Sequence, residues 1–399
     1  MSKRIVLCFD GTWNTPSSQA DLKGAASGLC CERVDPAAGV ETNVCRLYRS
    51  IKTTEHPDPG SGERAQVKWY DQGVGTHWYD RAVGGAFGLG LSRNIREGYK
   101  FLSDTYDEGD EVFIFGFSRG AYTARSLVGM IRNCGLLPRS SFNYARIIEG
   151  YELYRTRDSG PDTARAREFR DRYRSRMIEI RFLGVWDTVG ALGVPIESFG
   201  EFNKQQFEFH DTELSGIVKN AFHAVAVDEH RRAYAPTLWD PEAKPDQIVE
   251  QRWFIGAHAD VGGGYADRRL SDVTLNWMQA KAQALGLELD PAGIPKVTAE
   301  NHAGRIADSF GEFLGGLFQL FNERHYRPIG TAVFGNEIID ECVNARMKAD
   351  RTYRPPNPGL ERVNLEALFR AGLEPSGQQY AALDQTEEFA AVESTRVSK

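Results

Sequence analysis

The sequence predicts an α/β protein built on a mostly parallel, doubly wound sheet with helices on both faces and helical insertions. Two observations carry this. Short apolar runs alternate with stretches of helical pattern along the chain, as strand–helix–strand units require. Four of those runs stop at polar or glycine-containing loops: Asp10-Gly11-Thr12, Gly116-Phe117-Ser118-Arg119-Gly120, Asp187-Thr188 and His258-Ala259-Asp260. In an open parallel sheet the ligand crevice lies at the carboxyl ends of the strands.

Taken in order, Arg4–Phe9 is a short apolar run, read as a buried strand feeding the Asp10 turn. Residues 15–42 are rich in Ser, Ala and Gly without periodicity and read as a surface insertion. Val67–Tyr70 is a second strand. The glycine-rich stretch 84–90 precedes a helix expected over Ser92–Tyr106, with Ser92 as cap and Ile95, Tyr99, Leu102 and Tyr106 on one face. Val112–Phe115 is a strand and Arg119–Asn133 a helix. Residues 141–176 form an Arg-rich helical insertion, whose interleaved Asp158, Asp162, Glu168 and Asp171 mark a solvated face. Ile178–Val185 and Val249–Ile255 are further strands, and Ser271–Leu285 is a helix with Gly286 just past its end. The expected division is a core over 1–290, a helical or irregular segment over 291–385 packed on it, and a disordered tail over 386–399.

A chain of 399 residues can hold one large α/β domain with insertions, or two smaller ones. Its net charge of −7 argues against a nucleic-acid partner. No segment approaches the roughly 20 apolar residues needed to span a bilayer. The apolar N-terminal stretch is too short for a signal-peptide core, so cytoplasmic synthesis is expected, with leaderless export left open. The six cysteines show no Cys-x-x-Cys spacing, so neither a disulfide framework nor a zinc site is expected, and no cofactor is called for.

The chemistry centres on Ser118. A bare Gly-x-Ser-x-Gly is weak in a chain with 40 glycines, but here an apolar strand precedes it and a helix follows. Gly116 and Gly120 supply the small residues that let strand and helix close around a strained serine, the nucleophile elbow of an α/β-hydrolase-like arrangement. The partners then come in the chain order Ser, acid, His. Asp187, just past a buried strand, is the expected acid and His258 the expected base, with the glycines at 262–264 giving its loop freedom to approach. The other histidines fit less well: His223 has the apolar neighbours of a packing residue, His230 lies in a charged run, and His325 in a late segment. Asp260, Asp228 and Glu229 are weaker rivals for the acid. The oxyanion hole is expected from the N–H of Arg119 and that of Gly11 or Thr12.

Other chemistries compete. Asp10-Gly11-Thr12 is similar to the Asp-x-Asp-Gly-Thr of aspartate-based phosphatases, but Cys8 stands where their nucleophilic carboxylate would be. A metal hydrolase on Asp10, Asp187, His258 and Asp260 matches no zinc spacing. The stretch 84–90 lacks the preceding strand and the acidic ribose ligand of a dinucleotide site.

Five separated segments, FDGTWN from Phe9, GFSRGAYTAR from Gly116, GVWDTVGALG from Gly184, AFHAVAVDEHRR from Ala221 and WFIGAHADVGGGY from Trp253, resemble domain-of-unknown-function family 2235 over roughly residues 3–290. This is an α/β-hydrolase family that includes the first class of type VI secretion phospholipase effectors. The resemblance implies a Ser–Asp–His triad, here Ser118, Asp187 and His258, and ester hydrolysis, with membrane phospholipid as the effectors' substrate class. It brings a secretion apparatus or an immunity protein into view as partners. The apolar stretch Ser309–Phe321 is expected to be a core helix, a lid or a membrane-facing helix. The alternatives left open are a cytoplasmic esterase or thioesterase for small soluble substrates, a metal-dependent hydrolase, and a non-catalytic interaction domain.

Overall fold

The computed structural model describes residues 2–11, 41–54, 64–73, 84–156, 160–190, 214–239, 244–312, 322–332 and 336–364. Seven strands form one sheet in which every pairing is parallel: β1 (Arg4–Phe9), β2 (Gln66–Asp71), β3 (Glu111–Phe117), β4 (Ile180–Trp186), β5 (Asn220–Ala226), β6 (Ile248–Phe254) and β7 (Glu337–Ile339). Their spatial order is β2-β1-β3-β4-β5-β6-β7. The chain steps from β1 to β2 on one side, then returns to β3 on the other. The crevice of an open α/β sheet forms at such a reversal, here between the ends of β1 and β3.

Alternation along the strands builds two cores. Ile5, Leu7 and Phe9 of β1 with Val112 and Ile114 of β3 face one layer, while Val6, Cys8, Phe113, Phe115 and Phe117 face the other. The first layer is filled by α2 (Gly84–Thr105), α3 (Arg119–Cys134), α4 (Tyr144–Arg155) and α5 (Ala164–Tyr173); the second by α1 (Asn43–Ser50), α7 (Arg269–Ala284) and α8 (Glu341–Ala349). A short α6 (His258–Gly262) follows β6. Both faces are covered, so the central strands carry near-continuous apolar sequence.

The helix starts follow local chemistry. Thr42, Asn143, Thr163 and Asp340 each accept a first-turn N–H at the heads of α1, α4, α5 and α8, each cap worth about 1 kcal/mol. Helix α2 begins at Gly84 rather than at Ser92. Once Leu91, Ile95, Tyr99 and Leu102 are buried, propagation costs little and extends the helix back over glycines that are intrinsically poor formers. Strand β5 was not expected as a strand. All seven of its residues are buried, so it lacks the alternation that marks a half-exposed strand.

Candidate active site

Three loops at the carboxyl edge of the sheet converge. Ser118 joins β3 to α3 with φ 57° and ψ −120°, a strained conformation for a side-chain-bearing residue, costing of order 1–3 kcal/mol. Close packing enforces it. A Cβ on Gly116 would lie 2.5 Å from the Gly120 carbonyl oxygen and 2.7 Å from Ala121 Cα, and one on Gly120 only 2.1 Å from the Phe9 carbonyl oxygen. The Ser118 N–H donates to the Trp186 carbonyl at 3.0 Å, and the Asp187 N–H to that of Ala224 at 2.7 Å, so sheet hydrogen bonding continues up to both residues. Asp187 also has a positive φ, 38°.

His258 opens α6. Its Nε2 lies 2.8 Å from Ser118 Oγ and its Nδ1 2.6 Å from Asp187 Oδ2. Phe117 and Tyr234 flank the imidazole, with ring centroids 4.7 and 5.1 Å away. Contrary to expectation, β6 is not the next strand after β4, because β5 intervenes. The glycines at 262–264 also act by fit rather than by loosening the loop. A Cβ on Gly262 would sit 1.9 Å from the Phe117 ring, and Gly263 and Gly264 hold φ of 80° and 126°.

Electrostatics suits the geometry. Burial pushes the His258 pKa down against the opposing pull of Asp187 and Glu229, favouring the neutral imidazole. Burial would raise the Asp187 carboxyl, but the Arg327 charge, with hydrogen bonds from His258 and Arg327, holds it well below the usual carboxylate range. The Glu229 carboxylate, wholly buried, accepts Arg231 Nε and Nη2 at 2.8 Å each, Ser309 Oγ at 2.9 Å and the His258 N–H at 3.3 Å. Against burial, these Arg231 contacts bring its pKa down to about 2.

The remaining expected residues fall as follows. Gly11 backs onto the serine, an added Cβ being 3.3 Å from Ser118 Cβ, yet its N–H donates to Asp10 Oδ1 at 2.7 Å. Thr12 lies outside the described residues, as does most of the insertion over 15–42. Arg119 N–H stands in the first turn of α3, where backbone donors lack intrahelical acceptors. Burial lifts the Asp10 carboxyl to about 6, although it accepts bonds from Thr42, Tyr70 and Gly11. Asp260 accepts the Ala257 and Ala307 N–H groups, at 2.9 and 3.0 Å, and burial likewise raises it to about 6. Asp228 binds the Gly256 N–H and the Tyr353 hydroxyl. His223, buried and pushed down to about 3 by desolvation, accepts the Thr188 N–H through Nε2 at 3.0 Å. It thereby braces the loop that bears Asp187. His325 donates its N–H to the His230 carbonyl. Among the described residues no group of three or more His, Cys, Asp or Glu side chains is placed to hold a metal ion, and no helix is long and apolar enough to cross a membrane. Of the segment 309–321, Phe310 is buried, and residues 313–321 lie outside the described residues. Arg327, which sequence reasoning passed over, is fully buried against Asp187.

A parallel sheet whose order reverses beside a serine on a strained strand-to-helix turn is that of an α/β hydrolase. Residues 3–281 match the type VI secretion system phospholipase effector Tle1-like catalytic domain. The chain belongs to that family. An uncharacterized protein of Saccharomyces cerevisiae, YEL023C, is 26% identical over 261 residues, 60% of this chain and 33% of its own length. Two solved structures are similar. One is the Tle1 effector bound to the VgrG spike of the type 6 secretion system, 22% identical with TM-score 0.39 over 67% of this chain and 52% of that one. The other is an uncharacterized protein from Pseudomonas aeruginosa, 18% identical with TM-score 0.41 over 97% and 62%. The chain thus spans less than two thirds of each of these relatives.

Proposed function

We propose that the protein is a serine carboxylester hydrolase acting on phospholipid esters, with Ser118 as nucleophile, His258 as base and then acid, and Asp187 as the residue that fixes the imidazole tautomer. The observation that carries this is the continuous Ser118–His258–Asp187 relay, with separations of 2.8 and 2.6 Å, within the reach such a relay needs. Ser118 Oγ adds to the ester carbonyl as His258 Nε2 takes its proton. The tetrahedral oxyanion is held by the Arg119 N–H and by an early-loop donor, for which Gly11 would exchange its bond to Asp10. Collapse expels the alcohol, protonated by His258, and leaves an acyl-serine. Water, deprotonated by His258, then releases the acid.

The phospholipid substrate class is supported by the family to which residues 3–281 belong. That membership also supports export through a type VI apparatus, with a spike component or an immunity protein as partner. Labelling of the intact protein with a fluorophosphonate probe, beside Ser118→Ala, tests the nucleophile: Ser118-dependent labelling is expected, and its absence would end the serine-hydrolase reading. Fatty-acid release from phospholipid vesicles, measured beside short soluble esters, tests the substrate. Turnover confined to short esters would replace phospholipid with a small ester or thioester.

A further inference from the structure

Arg327 lies behind the relay, in a segment beyond residue 281, where the family match ends. It is wholly buried, and a guanidinium in that position needs several partners to offset desolvation. Nη1 donates to Asp187 Oδ1 at 2.6 Å and to the Ala226 carbonyl at 2.8 Å. Nη2 donates to Asp187 Oδ2 at 3.0 Å and to the Tyr234 carbonyl. The fork therefore grips both carboxylate oxygens, including the one that accepts from His258 Nδ1. Among the described residues the other donors to this carboxylate are the Ala226 N–H, at 3.0 Å, and His258 itself. Asn357 ties the arginine's backbone down, its side-chain amide donating to the Val227 and Arg327 carbonyls at 3.0 Å each.

We infer that Arg327 is a positioning residue for the triad: it fixes the plane of the Asp187 carboxylate and shares its charge, making the segment 322–332 part of the catalytic unit. This rests on the Ser118–His258–Asp187 reading above. A carboxylate whose charge is shared with a guanidinium stabilises an imidazolium less than one left alone. The groups facing the imidazole are Ser118 after β3, Asp187 after β4, and Glu229, Arg231 and Tyr234 after β5, with Arg327 behind Asp187; Asp260, on its own short helix, turns to the Ala257 N–H. Glu229 and Arg231 are paired with each other. The balance that reaches His258 through its Nδ1 is thus the one Arg327 sets on Asp187.

The test measures kcat, KM and the acid limb of the pH–rate profile for full-length Arg327→Met and Arg327→Lys on a short soluble ester, with folding followed by circular dichroism. Arg327→Met is expected to lose roughly 10²-fold in kcat, as misplaced catalytic groups do, with KM little changed. Its acid limb should move up by roughly one pH unit as the unshared carboxylate favours the imidazolium. Arg327→Lys keeps the charge but loses the fork, so kcat should fall by about tenfold with the limb near its original position. A folded Arg327→Met with unchanged kcat and limb would overturn the inference; should that variant not fold, wild-type kcat in Arg327→Lys would overturn it instead. Ser118→Ala separates the two levels. If it is as active as the wild type, the triad reading and this inference both fall; if it is inactive while the Arg327 variants behave as wild type, only this inference falls.

Discussion

Gly120→Ala adds one methyl group at the tightest point of the elbow. That Cβ would lie 2.1 Å from the Phe9 carbonyl oxygen, 2.6 Å from the Phe9 carbonyl carbon and 2.7 Å from the Asp10 oxygen. Ordinary contact begins near 3.4 Å, so the head of α3 must separate from the end of β1 by about 1.3 Å. All three obstacles are backbone atoms, of the last residue of β1 and the one after it, and cannot swing aside like a side-chain tip. Overpacking a tight core in this way costs about 1–3 kcal/mol, and occasionally more, which in a large domain lowers Tm by several degrees. The functional effect should be larger in proportion. Gly120 is two residues after Ser118, and a displacement near 1 Å can cost roughly 10² in kcat. Thermal unfolding, kcat on a soluble ester and the rate of fluorophosphonate labelling measure the three effects. Gly160→Ala, with nothing within 4 Å of the new Cβ, is the control and should change little. Wild-type labelling and Tm in Gly120→Ala would refute the idea that helix–strand contact sets the serine.

Further expectations concern buried charge. Asp187→Asn takes away the charge that faces the buried Arg327 guanidinium and should cost about 3–5 kcal/mol of stability, while kcat of the folded protein falls by about 10⁴, the scale seen when a triad acid can no longer select the imidazole tautomer; urea unfolding and steady-state kinetics check the two effects. Asp10, raised to about 6 by burial against about 3.9 unfolded, is protonated on both sides of folding at low pH. Its contribution to stability is therefore complete below about pH 4 and is lost as pH rises through about 6, a swing of about 3 kcal/mol. Urea midpoints of Asp10→Asn and wild type should diverge over that window in favour of the variant, and parallel curves would contradict the shift. Glu229 has the opposite sign, its contribution being present above about pH 4.3 and lost as pH falls toward about 2. Glu229→Gln removes the buried charge paired with Arg231 and should cost about 3–5 kcal/mol in urea unfolding near neutral pH.

What could be read from the sequence was whatever local pattern controls. The convergence of Ser118, Asp187 and His258 at one edge of the sheet was legible because each follows an apolar run and each loop has a composition of its own. Two glycines two residues either side of Ser118 declared the close approach, since a Cβ added at either would lie 2.1–2.7 Å from neighbouring backbone atoms. Strand β5 escaped because burial on both faces erases its period, and β7 because three residues are too few to show one. Arg327 escaped for a different reason. It meets Asp187 from 140 residues away, out of irregular chain with no periodicity to place it. The glycine at 84, normally a breaker, hid the true start of α2. The expected Gly11 donor shows the limit of position-based reasoning, since a neighbouring carboxylate claims its N–H.

The order of the strands also sets a mechanical condition on the proposed chemistry. Ser118 stands at the end of β3, Asp187 at that of β4, and His258 beyond β6, while β5 between them lends the Ala226 N–H to the same carboxylate. With neighbouring strands about 4.8 Å apart, the relay draws together residues from strands spread over roughly 14 Å of sheet width. It works as a tie-rod across four strands, and a slip of β4 against β5 by one residue would turn Asp187 to the opposite face. On the proposed mechanism, loss of alignment in that span would reach the serine, so its reactivity would double as a gauge of sheet integrity.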